Sequence, residues 1–194
     1  MNGSGRSASR TGFMQSRATG RTVLVLFAAT MTVYLVMLLV TIPRVEEFAP
    51  DAALFDLSPA GYSYPEAMLL LDSLGPEGRD AYLFPQLALD FVYPGLFAVC
   101  YSLMLTWVFA KRFPPGSRIF YLAILPAFAG LFDYVENLLI IRMIAVFPGV
   151  SEGLVLVASS ATTAKSVFST VSFLLLILGF VFLLKKGPSN APRS

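Results

Sequence analysis

Four long apolar stretches, separated by polar connections, dominate the chain. Each stretch is long enough to cross the hydrocarbon core of a bilayer as a helix, which takes about 20 residues. None shows the every-second-residue alternation of a barrel strand, and only helices or closed barrels satisfy their backbone groups in lipid. The pattern therefore predicts an all-α polytopic membrane protein, a four-helix transmembrane bundle. The predicted spans cover residues 22–42, 84–110, 118–147 and 152–184.

The connections between the spans define the predicted domain organisation. Pro43 is expected to stop the first span, whose apolar core exceeds the roughly 7–15 residues of a signal peptide, so that the span is expected to be retained. The transmembrane domain is predicted to occupy residues 21–186. It lies between a basic, Ser- and Gly-rich tail over residues 1–20, predicted to be disordered, and a short tail over residues 187–194.

The outer loop, residues 43–83, is too long for a simple connection and carries its own helix signals. Ser63 and Glu66 have the spacing of a capping box, and Gly75 marks a helix end. The apolar run between these signals predicts a short helix that lies on the membrane surface or against the other helices. A second helical piece, beginning near Pro76, is predicted to lead into the second span. The loop would then form a short helical extracytoplasmic cap.

The distribution of charge predicts the orientation in the membrane. Charged residues make up only 13% of the chain and hydrophobic residues 56%, which is too little charge to cover a water-soluble surface. Basic residues gather before the first span, between the second and third, and after the fourth, whereas the other connections contain only Arg44 and Arg79. By the positive-inside rule, both termini are cytoplasmic. The predicted location is a plasma membrane or a bacterial inner membrane, crossed several times.

Composition also excludes several kinds of chemistry. The chain contains no histidine, which removes the commonest general base and the commonest transition-metal ligand. Cys100 is the only cysteine, so neither an internal disulfide nor a CxxC pair can form, and its apolar surroundings indicate a packing role. No phosphate-binding glycine loop or nucleophile motif is present. We therefore predict no catalytic residue, no metal and no cofactor.

Five polar side chains interrupt the otherwise apolar spans. Counted from the cytoplasmic ends at about 1.5 Å per residue, they lie about 22–30 Å above that interface and share one layer. In the third span, an i, i+3, i+4 spacing places three of them on one helical face. Ionisable groups at this depth are expected to face inward and to pair. The five residues of this polar layer are Asp90, Asp133, Glu136, Asn137 and Lys165.

The polar layer can be interpreted in two ways. Three carboxylates against one ammonium leave an excess of negative charge, which would hold a proton, a cation or the basic group of a ligand. Alternatively, Lys165 forms a plain interhelical ion pair with Asp133 or Glu136, and Asn137 joins helices by hydrogen bonds. Arg79 is a further ligand-binding candidate, because arginine can bind a headgroup phosphate, although an exposed surface pair is the plainer interpretation.

Four short motifs in the loop and in the second and third spans follow one another along the chain. They are Gly61-Tyr62, Gly78-Arg79-x-x-Tyr82, Asp90 with Pro94, and Asp133-Tyr134-x-Glu136-Asn137. This succession, over roughly residues 56–137, resembles an uncharacterised group of small bacterial four-span integral membrane proteins. That group has no established activity, so the resemblance implies no chemistry. It suggests that the loop and the polar layer belong to one unit.

These features leave several functions open. The first is a lipid or small-ligand site in the outer leaflet, formed by the polar layer and roofed by the cap. Its enzymatic version would use Glu136 or Asp133 as general acid or base. The second is a non-catalytic membrane scaffold or assembly partner that docks through the cap, and the third is ion-coupled transport by an oligomer. The expected partners are the lipid bilayer and a lipid or small amphipathic ligand, with a homo-oligomer or a membrane-protein partner left open and no nucleic acid.

Overall fold

The structure is a computed structural model and describes residues 17–184. Within this range it contains five helices and no strand, which confirms the predicted all-α class. Four of the helices are long and apolar enough to span a membrane, and the other is the predicted loop helix. Most of the two predicted tails, 1–20 and 187–194, lies outside the described residues. The helices are α1 Gly20–Glu46, α2 Tyr64–Ser73, α3 Gly75–Ala110, α4 Arg118–Val146 and α5 Glu152–Leu184.

The first span, α1, is longer than the sequence pattern predicts. Pro43 does not stop the helix, which continues to Glu46. A proline inside a helix lacks the N–H donor, and its ring clashes with the carbonyl four residues earlier. In α1 this conflict is relieved by a π-helical turn, Met37–Thr41, directly before an α-helical turn with Pro43 in its first positions. The prediction that Pro43 ends the span is therefore wrong.

The second span, α3, is interrupted twice, each time beside a proline. It begins at Gly75 and so includes the second helical piece predicted in the loop. At Phe84 the backbone leaves helical geometry (φ −150°, ψ 121°), as expected for a residue that precedes a proline. A second break follows Asp90, and the helix resumes with Pro94 in its first turn. The predicted start of the second span near residue 84 is therefore a break within a longer helix.

The four spanning helices do not contribute equally to the bundle. α4 packs along both α3 and α5, and α3 also contacts α5, so that these three helices form a compact core. α1 packs on α3 and, within the described residues, makes no extensive contact with α5. Many large apolar side chains of α1 and α5 are exposed, as expected for helices whose outer faces meet lipid tails. α1 and α5 are therefore not packed along each other, and the space between them is called the gap between α1 and α5 below.

Two separate apolar clusters stabilise the bundle, one toward each end. The cap-end cluster joins the loop helix α2 to the adjoining ends of the four spans, and Leu70, Leu71 and Ile140 are among its buried members. The second cluster, most of whose buried residues belong to α3, lies toward the opposite end and includes Phe97 and Leu105. Along α3, α4 and α5, the polar layer lies between the stretches that supply these two clusters. The layer therefore separates two apolar regions.

The loop helix α2 begins as the sequence predicts. The Ser63 side chain accepts a hydrogen bond from the Glu66 N–H at 3.5 Å, and Glu66 accepts one from the Ser63 N–H at 2.7 Å. These reciprocal bonds complete a capping box. On the inner face, Ala67, Leu70 and Leu71 are buried in the cap-end cluster, and α2 packs against α5. The predicted packing of the loop helix against other helices is confirmed.

Loss of the Ser63–Glu66 capping box should lower the stability of the protein, and the size of this effect should depend on pH. Replacing Ser63 by alanine should lower the free energy of unfolding by about 1 kcal/mol at neutral pH, the usual cost of a lost N-cap. The hydrogen bonds that Glu66 receives from the Ser63 side chain, and then from its backbone, lower the pKa of Glu66 below its usual value. Such a carboxyl stabilises the protein fully above its unfolded pKa, about 4.3, and loses that contribution as pH falls through the folded value.

Thermal melting of wild type and S63A, at neutral pH and well below the ordinary glutamate pKa, measures this effect. The two proteins should differ most at neutral pH. The matched control is Ser73→Ala, at the exposed end of the same helix, which should change stability by less than about 0.5 kcal/mol. If S63A lowers the stability by the same amount at both pH values, the Ser63–Glu66 hydrogen bonds do not couple the stability to the ionisation of Glu66.

The stretch before α2 is held against α5 by a close approach at Gly61. This residue has φ +86°, in the left-handed region that favours glycine. A Cβ atom at this position would lie 2.5 Å from the Ser159 Oγ of α5. The next residue, Tyr62, donates its backbone N–H to the same Ser159 Oγ at 2.8 Å. The outer loop is therefore anchored to α5, which helps to position Asp56 a few residues earlier.

Candidate ligand-binding cavity

The centre of the predicted polar layer is an ion-pair network between α4 and α5. The Lys165 Nζ lies 3.3 Å from the Asp133 Oδ1 and also forms an ion pair with the Glu136 Oε2. Thr162, about one turn before Lys165, donates its hydroxyl hydrogen to the Glu136 Oε1 at 2.6 Å. The sequence predicts an ion pair of Lys165 with one or the other acid, and the structure brings both acids to the same ammonium.

The layer extends to α3 through Asn137 and Asp90. The Asn137 Nδ2 donates to the backbone oxygen of Asp90 at 2.9 Å, so this amide joins α4 to α3 as the sequence predicts. The Asp90 side chain is only 4% exposed. Within residues 17–184, its carboxylate makes no hydrogen bond and no ion pair. Asp90 is therefore the ionisable member of the layer whose carboxyl group has no hydrogen-bond or ion-pair partner among the described residues.

A further carboxylate, Asp56, reaches the layer from the outer loop. The Asp56 Oδ2 accepts hydrogen bonds from the Tyr82 hydroxyl at 3.0 Å and from the Gln86 Nε2 at 3.3 Å. Gln86 in turn accepts a hydrogen bond from the Thr41 hydroxyl of α1. Sequence reasoning missed this residue because loop positions carry no helical spacing that would place them in depth. The network fixes Asp56 between α1 and α3.

A cavity of about 400 Å³ lies beside the polar layer, with walls from all four spanning helices and the outer loop. Its charged lining residues are Asp56, Asp90, Asp133 and Lys165. Glu136, in contrast, is fully buried and does not line the cavity. The structure thus divides the predicted layer into residues that face a cavity and residues that hold the helices together behind it.

The aromatic wall of the cavity runs from α1 across α3 to α5. Its members are Tyr34, Tyr93, Phe97 and Phe173. Consecutive ring centroids lie 5.7 Å, 5.9 Å and 5.8 Å apart, within the range of favourable aromatic contacts. α1 and α5 both line the cavity but do not pack along each other, so part of the cavity lies in the space between these two helices.

Arg79, the remaining predicted site residue, is not brought to this cavity. Its Nη1 donates to the Leu71 backbone oxygen at 2.7 Å, and its guanidinium lies 4.6 Å from the centroid of the Phe147 ring. These contacts place Arg79 in the cap, where it satisfies a carbonyl near the end of α2. Its binding of a headgroup phosphate stays a prediction, separate from the polar layer.

Tyr62 adds a phenol between the cap and the polar layer. Its ring packs on Phe55, with the centroids 4.6 Å apart. Burial first, and then the negative charge of Glu136, raise the pKa of Tyr62 above its usual range. The phenol therefore keeps its proton at all physiological pH values. Tyr62 covers the layer with a neutral group.

Within the part of the chain that the structure describes, no three His, Cys, Asp or Glu side chains are grouped so that they could hold a metal ion. The donor set of the cavity instead suits an organic ligand, since carboxylates and an ammonium lie beside aromatic rings. Comparison of the chain with protein-family models, with curated proteins and with solved structures finds no match. The resemblance to the small four-span bacterial proteins therefore stays a prediction.

Proposed function

We propose that this protein binds a membrane amphiphile, either a lipid or a small ligand with an apolar tail, in the cavity beside the polar layer. The observation that carries the proposal is the composition of this one cavity, where charged side chains and an aromatic wall meet at the gap between α1 and α5. Ligand sites are typically concave and mostly apolar, with a few polar groups that orient the ligand. We propose that the cavity is reached through the gap between α1 and α5, which would admit a ligand that already resides in the bilayer.

In the orientation that we propose, both termini lie in the cytoplasm and the cap lies outside. The support is the distribution of basic residues, because Lys111, Arg112 and Arg118 all lie in or beside the connection at the end opposite the cap. The cavity then lies in the outer half of a plasma or inner membrane. A ligand would accordingly enter from the outer leaflet.

A scaffold that docks through the cap has less support. The inner apolar face of α2 is covered by the protein's own helices, which leaves Leu69, 57% exposed, on the outer side. An enzymatic role also has less support, because Glu136 is fully buried and both Glu136 and Asp133 are already paired with Lys165. A general base must come within hydrogen-bond reach of the proton that it removes. Non-catalytic binding is the function that the cavity favours.

Filling the cavity should abolish binding while the fold persists. Ser169 is a half-buried residue of the cavity wall. We expect Ser169→Phe to weaken the binding of dodecyl-chain amphiphiles by at least about tenfold, because the ring occupies space that the ligand chain needs. Saturation binding of radiolabelled dodecylamine and dodecanol to the protein in nanodiscs measures this loss.

The matched control is Ser160→Phe, the same substitution at an exposed position of the same helix outside the cavity. It should bind both probes as wild type does. The proposal fails if S169F binds both probes as tightly as wild type, or if wild type shows no saturable binding of either probe.

A further inference from the structure

The charges on the cavity wall do not balance. Three carboxylates and one ammonium line the cavity, and Lys165 is already engaged by Asp133 and by the buried Glu136. Asp56 accepts hydrogen bonds only from the neutral groups of Tyr82 and Gln86. Within the described residues, neither Asp56 nor Asp90 therefore has a cationic partner. A positive charge is the component that this wall lacks.

Asp90 is the residue that points to a ligand. It lines the cavity, is only 4% exposed, and has a carboxylate without a hydrogen bond or ion pair within residues 17–184. The Asp56 Oδ1 is likewise buried without a hydrogen-bond donor. Unpartnered buried carboxylates are costly, and at membrane depth such groups normally pair. Two carboxylates thus keep acceptor capacity for donors that a ligand would bring.

The chemistry of the wall restricts the kind of cation. An ammonium offers N–H donors to carboxylates in short, charge-assisted hydrogen bonds. The rings of Tyr34 and Tyr93, with centroids 5.7 Å apart on the same wall, attract an organic cation through their π faces. A metal ion is a poorer fit, because no three metal-ligating side chains are grouped there among the described residues. An anionic head group would meet the excess of carboxylates.

We infer that the amphiphile bound by this cavity has an ammonium head group, held by Asp90 and Asp56, with its apolar tail along Phe97 and Phe173 toward the gap between α1 and α5. The inference rests on the proposed function and names the head group of the same ligand. An amine-bearing lipid and a free lipophilic amine share this chemistry. Both place a cationic nitrogen at the carboxylates and a hydrocarbon chain at the aromatic wall.

Three probes with the same chain length test the head group: dodecylammonium, dodecanol and dodecanoate. Wild type in nanodiscs of phosphatidylglycerol should bind dodecylammonium at least about tenfold more tightly than either of the others. Asp90→Asn should lower the affinity for dodecylammonium by about tenfold to a hundredfold and leave that for dodecanol unchanged. Asp72→Asn, which removes an exposed acid of α2, is the matched control and should keep the wild-type preference.

The affinities of wild type for the three probes are measured without any substitution, so the inference can be tested even if D90N does not fold. Asp56→Asn is the second carboxylate variant. The ammonium inference is overturned if wild type binds the three probes equally, or if both carboxylate variants keep the preference. In that event the proposed function still stands, provided that Ser169→Phe blocks all three probes. If S169F blocks none of them, the proposed function itself fails.

A competition experiment distinguishes the two sources of the ammonium. Displacement of bound dodecylammonium by phosphatidylethanolamine, but not by further phosphatidylglycerol, would support an amine-bearing lipid as the ligand. Displacement by neither lipid would support a free lipophilic amine. Displacement by phosphatidylglycerol as effectively as by phosphatidylethanolamine would show that the ammonium is not recognised and would overturn the inference.

Discussion

Replacing Lys165 by methionine should lower the free energy of unfolding by about 3–5 kcal/mol. Among residues 17–184, Lys165 provides the only ammonium on the cavity wall, and it pairs with both Asp133 and Glu136. Its removal leaves two carboxylates in the interior of a membrane protein, where an unpartnered charge is expensive. Thermal melting and denaturant unfolding of the purified variant beside wild type, in one mild detergent, measure the loss.

Two further variants distinguish the effect of leaving Asp133 and Glu136 unpaired from the effect of simply removing a cationic side chain. Arg142→Met removes an exposed cation from α4 and should change stability by less than about 0.5 kcal/mol. Adding Asp133→Asn and Glu136→Gln to Lys165→Met removes the unpaired charges together with the ammonium, so most of the lost stability should return. If K165M has the same melting temperature and free energy of unfolding as wild type, the ion pairs contribute nothing to the stability of the fold.

Replacing Gly130 by alanine should destabilise the protein by about 1–3 kcal/mol, although alanine is the better helix former. Gly130 lies where α4 crosses α3. A Cβ atom there would lie 2.7 Å from the Pro94 backbone oxygen and 3.2 Å from the Ala98 Cβ. The backbone oxygen cannot rotate away, so the two helices must separate and the packing around the polar layer must loosen. Unfolding measurements under the same conditions test this prediction.

Gly153→Ala is the control for Gly130→Ala. Gly153 lies in the first turns of α5, and nothing lies within 4 Å of the Cβ that alanine would add. Helix propensity alone then governs the outcome, and G153A should be neutral or more stable by up to about 1 kcal/mol. If G130A is also neutral or stabilising, the close approach of α3 and α4 is not required.

Much of the fold follows from local sequence signals. The lengths of the apolar stretches predict the four long helices, and the Ser63–Glu66 capping box predicts where α2 begins. The extent of α1 does not follow, because a proline predicts the loss of one hydrogen bond but not whether a π-turn will absorb it. The start of α3 is misplaced for the same reason, since Phe84 breaks the helix without ending it.

The candidate site is only partly predictable. Helical spacing and depth predict that Asp133, Glu136 and Lys165 lie close together. The spacing gives the face of the helix on which each side chain lies, and the residue count from the helix end gives its height in the bundle. The same reasoning cannot place Asp56, whose position depends on long-range hydrogen bonds to Tyr82 and Gln86. It also cannot tell which acids face a cavity, since that depends on how far α1 lies from α5.

The separation of the two apolar clusters by the polar layer has a consequence for how this kind of protein can diverge. Each cluster is packed from residues of its own, one toward the cap and one toward the opposite end. The cavity-facing side chains between the clusters can therefore be exchanged as a charge-balanced set while the apolar packing on either side stays as it is. Under the proposed function, the preference for a head group would depend on the polar layer and Asp56, whereas the two apolar clusters contribute packing that does not depend on the head group. A single scaffold of this design can serve many head-group chemistries.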